Sequence, residues 1–282
     1  MMLFDRSLIR SRRKRCAAYY LHDPFVHHEA EARLMDRIMC INKHFERVVV
    51  IGATSTEWRN LPNIGTCIFA DLVAERLPQD SSLRLLCDEE WLPFAPHSLD
   101  AIISILTLHH LNDCVGALIQ MRHALIPDGL MSCVTYGARS LHEVRSALTH
   151  AEMQRTGGIT PRISPFMEVR DAGALLQRTG YALPVIDSDL LNITYPSLHA
   201  LLHELRQSGE QNALIERSKS FTAPQLFMDA SQYYHEHFSD AEHRLHATIE
   251  LLFMNGWNPH HTQQQPSRRG SGTQSLRTLL EE

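Results

Sequence analysis

Apolar residues fall in short, nearly unbroken blocks through residues 47–136, and polar or helical stretches separate the blocks. The pattern predicts strands at 47–52, 66–71, 83–87, 101–107 and 129–136. Blocks that are apolar on both faces, rather than alternating, belong to a parallel sheet covered by helices on either side. Pro127-Asp128-Gly129 reads as the turn feeding the fifth strand. From 139 to 155 the period changes to that of a helix, with Leu141, Val144, Leu148 and Ala151 on one face. Gly157-Gly158 ends that helix, and another is expected over 168–178, closed by Gly180. A sixth strand is expected over 182–195 and a last one over 246–257, with a helical insert at about 196–240 between them. The chain thus reads as a helical arm (1–45), an α/β domain (46–258) and a mobile tail rich in Gln, Ser, Arg and Gly (259–282).

The chemistry sits at the strand ends. Arg47-Val-Val-Val-Ile-Gly52 is a buried strand closing on a glycine, which lets backbone approach a ligand without a Cβ in the way. Cys67-Ile-Phe-Ala-Asp71 closes on a carboxylate, and Leu83-Arg-Leu-Leu-Cys87 runs into Asp88-Glu89-Glu90. In open parallel sheets ligands bind at the carboxyl ends of strands. Asp71 is placed to accept two ribose hydroxyls and Asp88 an adenine amino group, so glycine, acid, acid is the layout of an S-adenosylmethionine pocket. Either acid also serves as a helix cap or loop residue. Ala53-Thr54-Ser55-Thr56 follows Gly52 where further glycines are usual, and Val50 stands where an acid is common. His109-His110 ends the fourth strand beside the expected reaction centre, as general base, substrate contact or simple cap. Tyr136, Ser164 and Phe166 are expected on the substrate side.

Composition narrows the possibilities. With 282 residues, 44% of them hydrophobic, the chain can bury a large core, and its net charge of −5 gives no reason to expect nucleic acid. Arg12-Arg-Lys-Arg15 is the one compact basic run, expected as a solvated helix face or a dock for an acidic partner. Apolar runs such as Ala101–Leu106, broken only by Ser104, are too short to span a bilayer. Six cysteines form no CxxC pair, and Cys67, Cys87 and Cys133 are expected inside strands, which suits a reducing compartment. Of the eighteen histidines, Tyr234-His-Glu-His237 and His243-x-x-His246 come closest to ligand spacing, but no acid completes either set, so no metal site is expected.

Leu3-Phe-Asp-Arg6, Asp88-Glu-Glu-Trp-Leu-Pro-Phe94, Leu108-His-His-Leu-Asn-Asp113, Pro127-Asp-Gly129, Gly157-Gly-Ile-Thr-Pro-Arg-Ile-Ser-Pro-Phe166, and Gly256-Trp257 with Arg269-Gly-Ser271 recur in order. Together they resemble the class I methyltransferase-like assembly factors of respiratory complex I, and more distantly the malonyl-carrier-protein methyltransferases of biotin synthesis. The resemblance implies a Rossmann-like class I methyltransferase fold: a seven-stranded, mainly parallel sheet with an antiparallel last strand. It implies S-adenosylmethionine as cofactor, held by Gly52, Asp71, Leu72, Asp88, Glu89 and Leu108, with His109, His110 and Tyr136 as catalytic candidates. It implies a protein substrate, a complex I subunit, modified at arginine. The Phe-Asp-Arg block at residue 4 fits a bacterial protein or an already matured one, and for a bacterial protein the expectation is the cytoplasm or the periphery of the inner membrane. The family's first loop carries an acid and three glycines, of which only Gly52 remains here. A non-catalytic assembly factor on the same fold therefore stays open beside the two enzyme readings.

Overall fold

The computed structural model describes residues 2–22, 24–79, 83–265 and 270–272. Seven strands run in one sheet: β1 (Phe45–Ile51), β2 (Ile64–Asp71), β3 (Arg84–Leu86), β4 (Leu99–Ile105), β5 (Leu125–Tyr136), β6 (Ala182–Tyr195) and β7 (Leu245–Trp257). Their order is β3-β2-β1-β4-β5-β7-β6. β1 to β5 pair in parallel, and β7 lies antiparallel between β5 and β6. The fold and its antiparallel last strand are therefore as the sequence implies.

Alternation within each apolar block divides the core between the two faces. Val48, Val50, Ile103 and Ile105 face α3 (Phe25–Met39), α5 (His142–Thr156) and α8 (Pro224–Phe238). Val49, Ile51, Ile102 and Met131 face α4 (Cys114–Ala124) and α6 (Val169–Arg178). Tyr181 packs behind Gly256, where an added Cβ would lie 2.9 Å from the ring's own Cβ. The expected insert contains α7 (Leu198–Gln207) and α8. Among the described residues no helix is long and apolar enough to cross a membrane.

Four local expectations need correction. The fifth strand begins at Leu125, so Pro127-Asp128-Gly129 is an irregularity inside it, with Asp128 at φ +62°, rather than a turn before it. Cys87 lies just beyond β3. The long helix starts at His142, because residues 137–141 form a turn tied to β7. The basic run is a solvated face only in part: it ends α1 (Arg6–Arg15) with Lys14 and Arg15 exposed, but Arg13 is buried at 3% exposure. The tail expected beyond 259 falls mostly outside the described residues, as does Arg269 of the last shared block.

Candidate functional site

The first strand ends at Gly52 with φ +76°, where a Cβ would meet the Ile105 carbonyl oxygen at 2.6 Å, so only glycine fits there. From this corner the expected cofactor contacts fan out along the strand ends. Asp71 ends β2 at 2% exposure and accepts the Val73 amide at 2.9 Å. Burial raises its carboxyl above the ordinary value, against the pull of Arg13 and Arg76. Leu72 packs with Phe4, Ile9 and Leu214 in a small cluster beneath the arm. Leu108 opens the buried 3-10 turn after β4.

The Gly52 carbonyl, Asp88 and Glu89 on this side have partners from the arm, whereas the hydrogen bond of Asp71 stays within its own turn. Arg6 and Arg13 of α1 reach Glu89 at 2.6 and 2.5 Å, and Arg6 also binds Asp88. Burial alone would raise the Glu89 carboxyl, but the two guanidiniums outweigh it and hold it at about 2. Tyr20 of α2 (Ala17–His22) donates its hydroxyl to the Gly52 carbonyl at 2.5 Å, and the Arg76 guanidinium lies 3.8 Å from the centre of its ring. The degenerate loop is filled in the same way. Glu31 of α3 accepts the Thr54 amide at 3.0 Å, the Thr54 hydroxyl, and Trp58 Nε1 at 2.6 Å. With α1 and α2 in this position, the residues expected to hold S-adenosylmethionine form an enclosed ion-pair and hydrogen-bond network. In this arrangement Asp88, Glu89 and the Gly52 carbonyl are engaged by the arm rather than open to a cofactor.

The cavity lies next door. About 270 Å³ opens between the ends of β4 and β5, α5 and the insert. Tyr136, Phe166 and Tyr195 wall it, Glu204 of α7 lines it, and His109, His110 and Glu210 stand together on one side. His109 is edge-on to Tyr136 at 4.7 Å between ring centres, and Tyr136 lies 5.6 Å from Phe166. His109 Nε2 meets Glu210 Oε2 at 2.9 Å, and His110 Nε2 lies 3.7 Å from the same oxygen. Burial opposes ionisation of Glu210, but the facing His109 and His110 reverse this and hold it well below the usual range. His110 is held well below 6.5 by burial and by His109, hence neutral. Burial, with Glu210 adding to it, keeps the Tyr136 phenol protonated, so it serves as a donor.

The comparisons with known proteins agree with this architecture. Residues 62–133 match the methyltransferase-domain family. Across 98% of the chain and 83% of the relative, the sequence is 32% identical to the human protein named arginine-hydroxylase NDUFAF5, mitochondrial. The chain belongs to that family. It is a methyltransferase-like protein of the S-adenosylmethionine-dependent class. The malonyl-[acyl-carrier protein] O-methyltransferase of Xylella fastidiosa is a more distant relative, 29% identical over 91% of this chain and 89% of that one. Among solved structures, the YcgJ protein of Bacillus subtilis shares the fold at TM-score 0.55 and 14% identity, covering 81% of this chain and 99% of that one. So does phosphoethanolamine N-methyltransferase 2 of Haemonchus contortus, which was solved with S-adenosylhomocysteine. There the TM-score is 0.50 and the identity 16%, over 89% of this chain and 60% of the other.

The site residues expected from the sequence divide into two groups in the structure. Gly52, Asp71, Leu72, Asp88, Glu89 and Leu108 do gather at the strand ends, but beneath the arm. His109, His110 and Tyr136 gather around the cavity, with Ser164 and Phe166 as expected. Among the described residues, His235, His237, His243 and His246 join no cluster of ligating groups, whereas His109, His110 and Glu210 do. Glu210, Glu204 and Glu31 had no sequence signal. Each is a lone acid near or within a helical stretch, and only its partner across the fold distinguishes it from a solvated one.

Proposed function

We propose that the protein recognises an arginine side chain of a protein substrate in this cavity and modifies it. The observation that carries the reading is the character of the walls. Carboxylates at Glu204 and Glu210 stand among the aromatic faces of Tyr136, Phe166 and Tyr195. A guanidinium is planar, weakly hydrated, stacks on aromatic rings and pairs with carboxylates, and this aromatic and acidic wall suits it. Of the two arginines that also line the cavity, Arg162 is already paired with Glu152 and Arg206 adds positive charge. In this reading Glu204 takes the guanidinium, Tyr136 donates a hydrogen bond, and the apolar wall excludes water. The malonyl-carrier reading has less support, because a free carboxyl group entering the cavity would face the ionised Glu210.

The finer reading rests on the shared sequence blocks and on the relatives' name: hydroxylation of one arginine on a respiratory complex I subunit, at the cytoplasmic face of the inner membrane. Peptide mass spectrometry of complex I subunits, from cells with and without the protein, tests it. One arginine should carry an added oxygen atom only when the protein is present, and Glu204→Gln should abolish that mass. An added methyl group in its place would refute hydroxylation, and no difference at any arginine would refute the substrate. A non-catalytic assembly factor is the second reading, favoured by the filled cofactor side. It requires complex I to assemble normally with Glu204→Gln and with Asp71→Ala, and it predicts no heat on calorimetric titration with S-adenosylmethionine.

A further inference from the structure

His109, His110 and Glu210 are separated by up to 101 residues in sequence, yet one ligating atom from each lies within 4.8 Å of the others. The two histidines are fixed by the backbone around them. Leu106 at φ +47° and the Ser104–Thr107 hydroxyl pair at 2.7 Å turn the chain off β4 into the 3-10 segment Leu108–His110. Glu210 is fixed from the other side, where its amide bonds back to the Leu205 carbonyl at 2.9 Å after Gly209 in the left-handed region. The three groups therefore meet because two independent chain reversals aim them at one point.

We propose that these three side chains form a binding site for one divalent first-row transition cation on the wall of the cavity. Imidazole nitrogens and carboxylate oxygens bind such ions at about 2.0–2.2 Å, so two ligands at tetrahedral or right angles lie about 2.8–3.6 Å apart. The observed His109–Glu210 and His110–Glu210 separations of 2.9 and 3.7 Å lie at or close to that range. All three ligating atoms lie within 4.8 Å of one another, so admitting the ion requires the imidazoles to close on it by side-chain movement alone. The donor set also selects the ion. Two imidazoles and one carboxylate suit iron, manganese, cobalt or zinc, and suit calcium or magnesium poorly. Three protein ligands leave coordination positions open, and here they would face about 270 Å³ of cavity rather than a closed core. The His109 and His110 side chains are only 2 and 5% exposed, so adventitious surface chelation is not what brings them together. The site lies in the cavity assigned above to an arginine side chain, but it stands on ligand geometry and does not depend on that substrate. Glu204, which meets Tyr195, is not one of the three ligands.

The test uses the full chain without an affinity tag, stripped of metal and titrated with cobalt(II) and zinc(II) by calorimetry and visible absorption, with no substrate present. One equivalent should bind to the wild-type protein. Glu210→Gln should weaken binding by at least about 100-fold, since loss of a mere supporting residue costs 10- to 100-fold. A His235→Ala/His237→Ala variant, which removes two exposed histidines of α8, should bind as the wild type does. Circular dichroism confirms folding, and should Glu210→Gln not fold, His110→Asn is read in the same way. No binding to folded wild-type protein overturns the proposal. So does full binding by the folded Glu210→Gln or His110→Asn variant, or loss of binding in the His235/His237 variant. Because no substrate is present, failure here would leave the arginine reading untouched, and an unmodified complex I arginine would leave a positive metal titration standing.

Discussion

Arg13→Met is the substitution that most sharply separates the folded protein from its sequence. Read as part of a basic run on a solvated helix, Arg13 should tolerate the change. In the structure its side chain is 4% exposed and its Nη1 lies 2.5 Å from Oε1 of Glu89, which is fully enclosed. Removing one partner of a buried pair leaves the other charge uncompensated and costs about 3–5 kcal/mol. Arg6 still holds Glu89 from the other side at 2.6 Å, so the lower end is expected. The carboxyl gives an upper bound on the same scale, since its fall from 4.5 to about 2 corresponds to about 3 kcal/mol and is shared between Arg13 and Arg6. Urea unfolding at pH 7 should therefore show a loss of about 3 kcal/mol. A depressed carboxylate stabilises fully above its unfolded value, and that stabilisation is lost as pH falls towards the folded one. The difference between variant and wild type should thus shrink between pH 4.5 and about 2. Arg13→Met/Glu89→Leu should recover most of the loss, because apolar replacement of a whole buried pair is often neutral. A loss under about 1 kcal/mol for the single variant would place Arg13 among ordinary surface pairs and refute the reasoning.

Two further outcomes follow from the same region. Gly52→Ala should destabilise by more than about 2 kcal/mol, because the left-handed backbone disfavours any side chain and the new Cβ would press on the Ile105 carbonyl at 2.6 Å; an unchanged thermal midpoint would contradict this. His27 is buried and held at about 3 by desolvation, so it costs nothing above pH 6.5, and destabilises increasingly as pH falls from 6.5 towards 3 while the unfolded chain takes up the proton. His27→Phe should flatten the stability profile over that window, and an equally steep acid loss in the variant would show that other groups set it.

Much of the fold was legible because it rests on local order. Short, nearly continuous apolar blocks such as Val48–Ile51 and Ala101–Ile105, rich in β-branched residues and separated by helical stretches, read as strands with helices on both faces. The glycine at 52 and the acids at 71, 88 and 89 are tied to strand ends by chain direction alone. The pairing of those acids was not legible. Arg13 meets Glu89 across 76 residues, and Glu31 meets Trp58 Nε1 across 27. A basic run such as Arg12–Arg15 looks the same in sequence whether one of its members is buried or not. Histidine spacing drew attention to His235, His237, His243 and His246, because sequence periodicity sees ligands carried on one element. The cluster that forms draws two ligands from the turn after β4 and one from the segment after α7.

The sequence by itself determined the order of the strands' chemistry and the membership of the family: which strand ends in glycine, which in acid, and where His109-His110 and Tyr136 fall. These follow from backbone periodicity and from residue types at fixed offsets, which act over a few residues. Only the tertiary structure decided what the acids face, that the arm rather than a ligand satisfies Asp88 and Glu89, and that Glu210 closes on the two histidines beside an aromatic cavity. Those contacts depend on loop closures over tens to a hundred residues, where no local preference favours one partner over another and the packing of α1 and α7 on the sheet makes the choice.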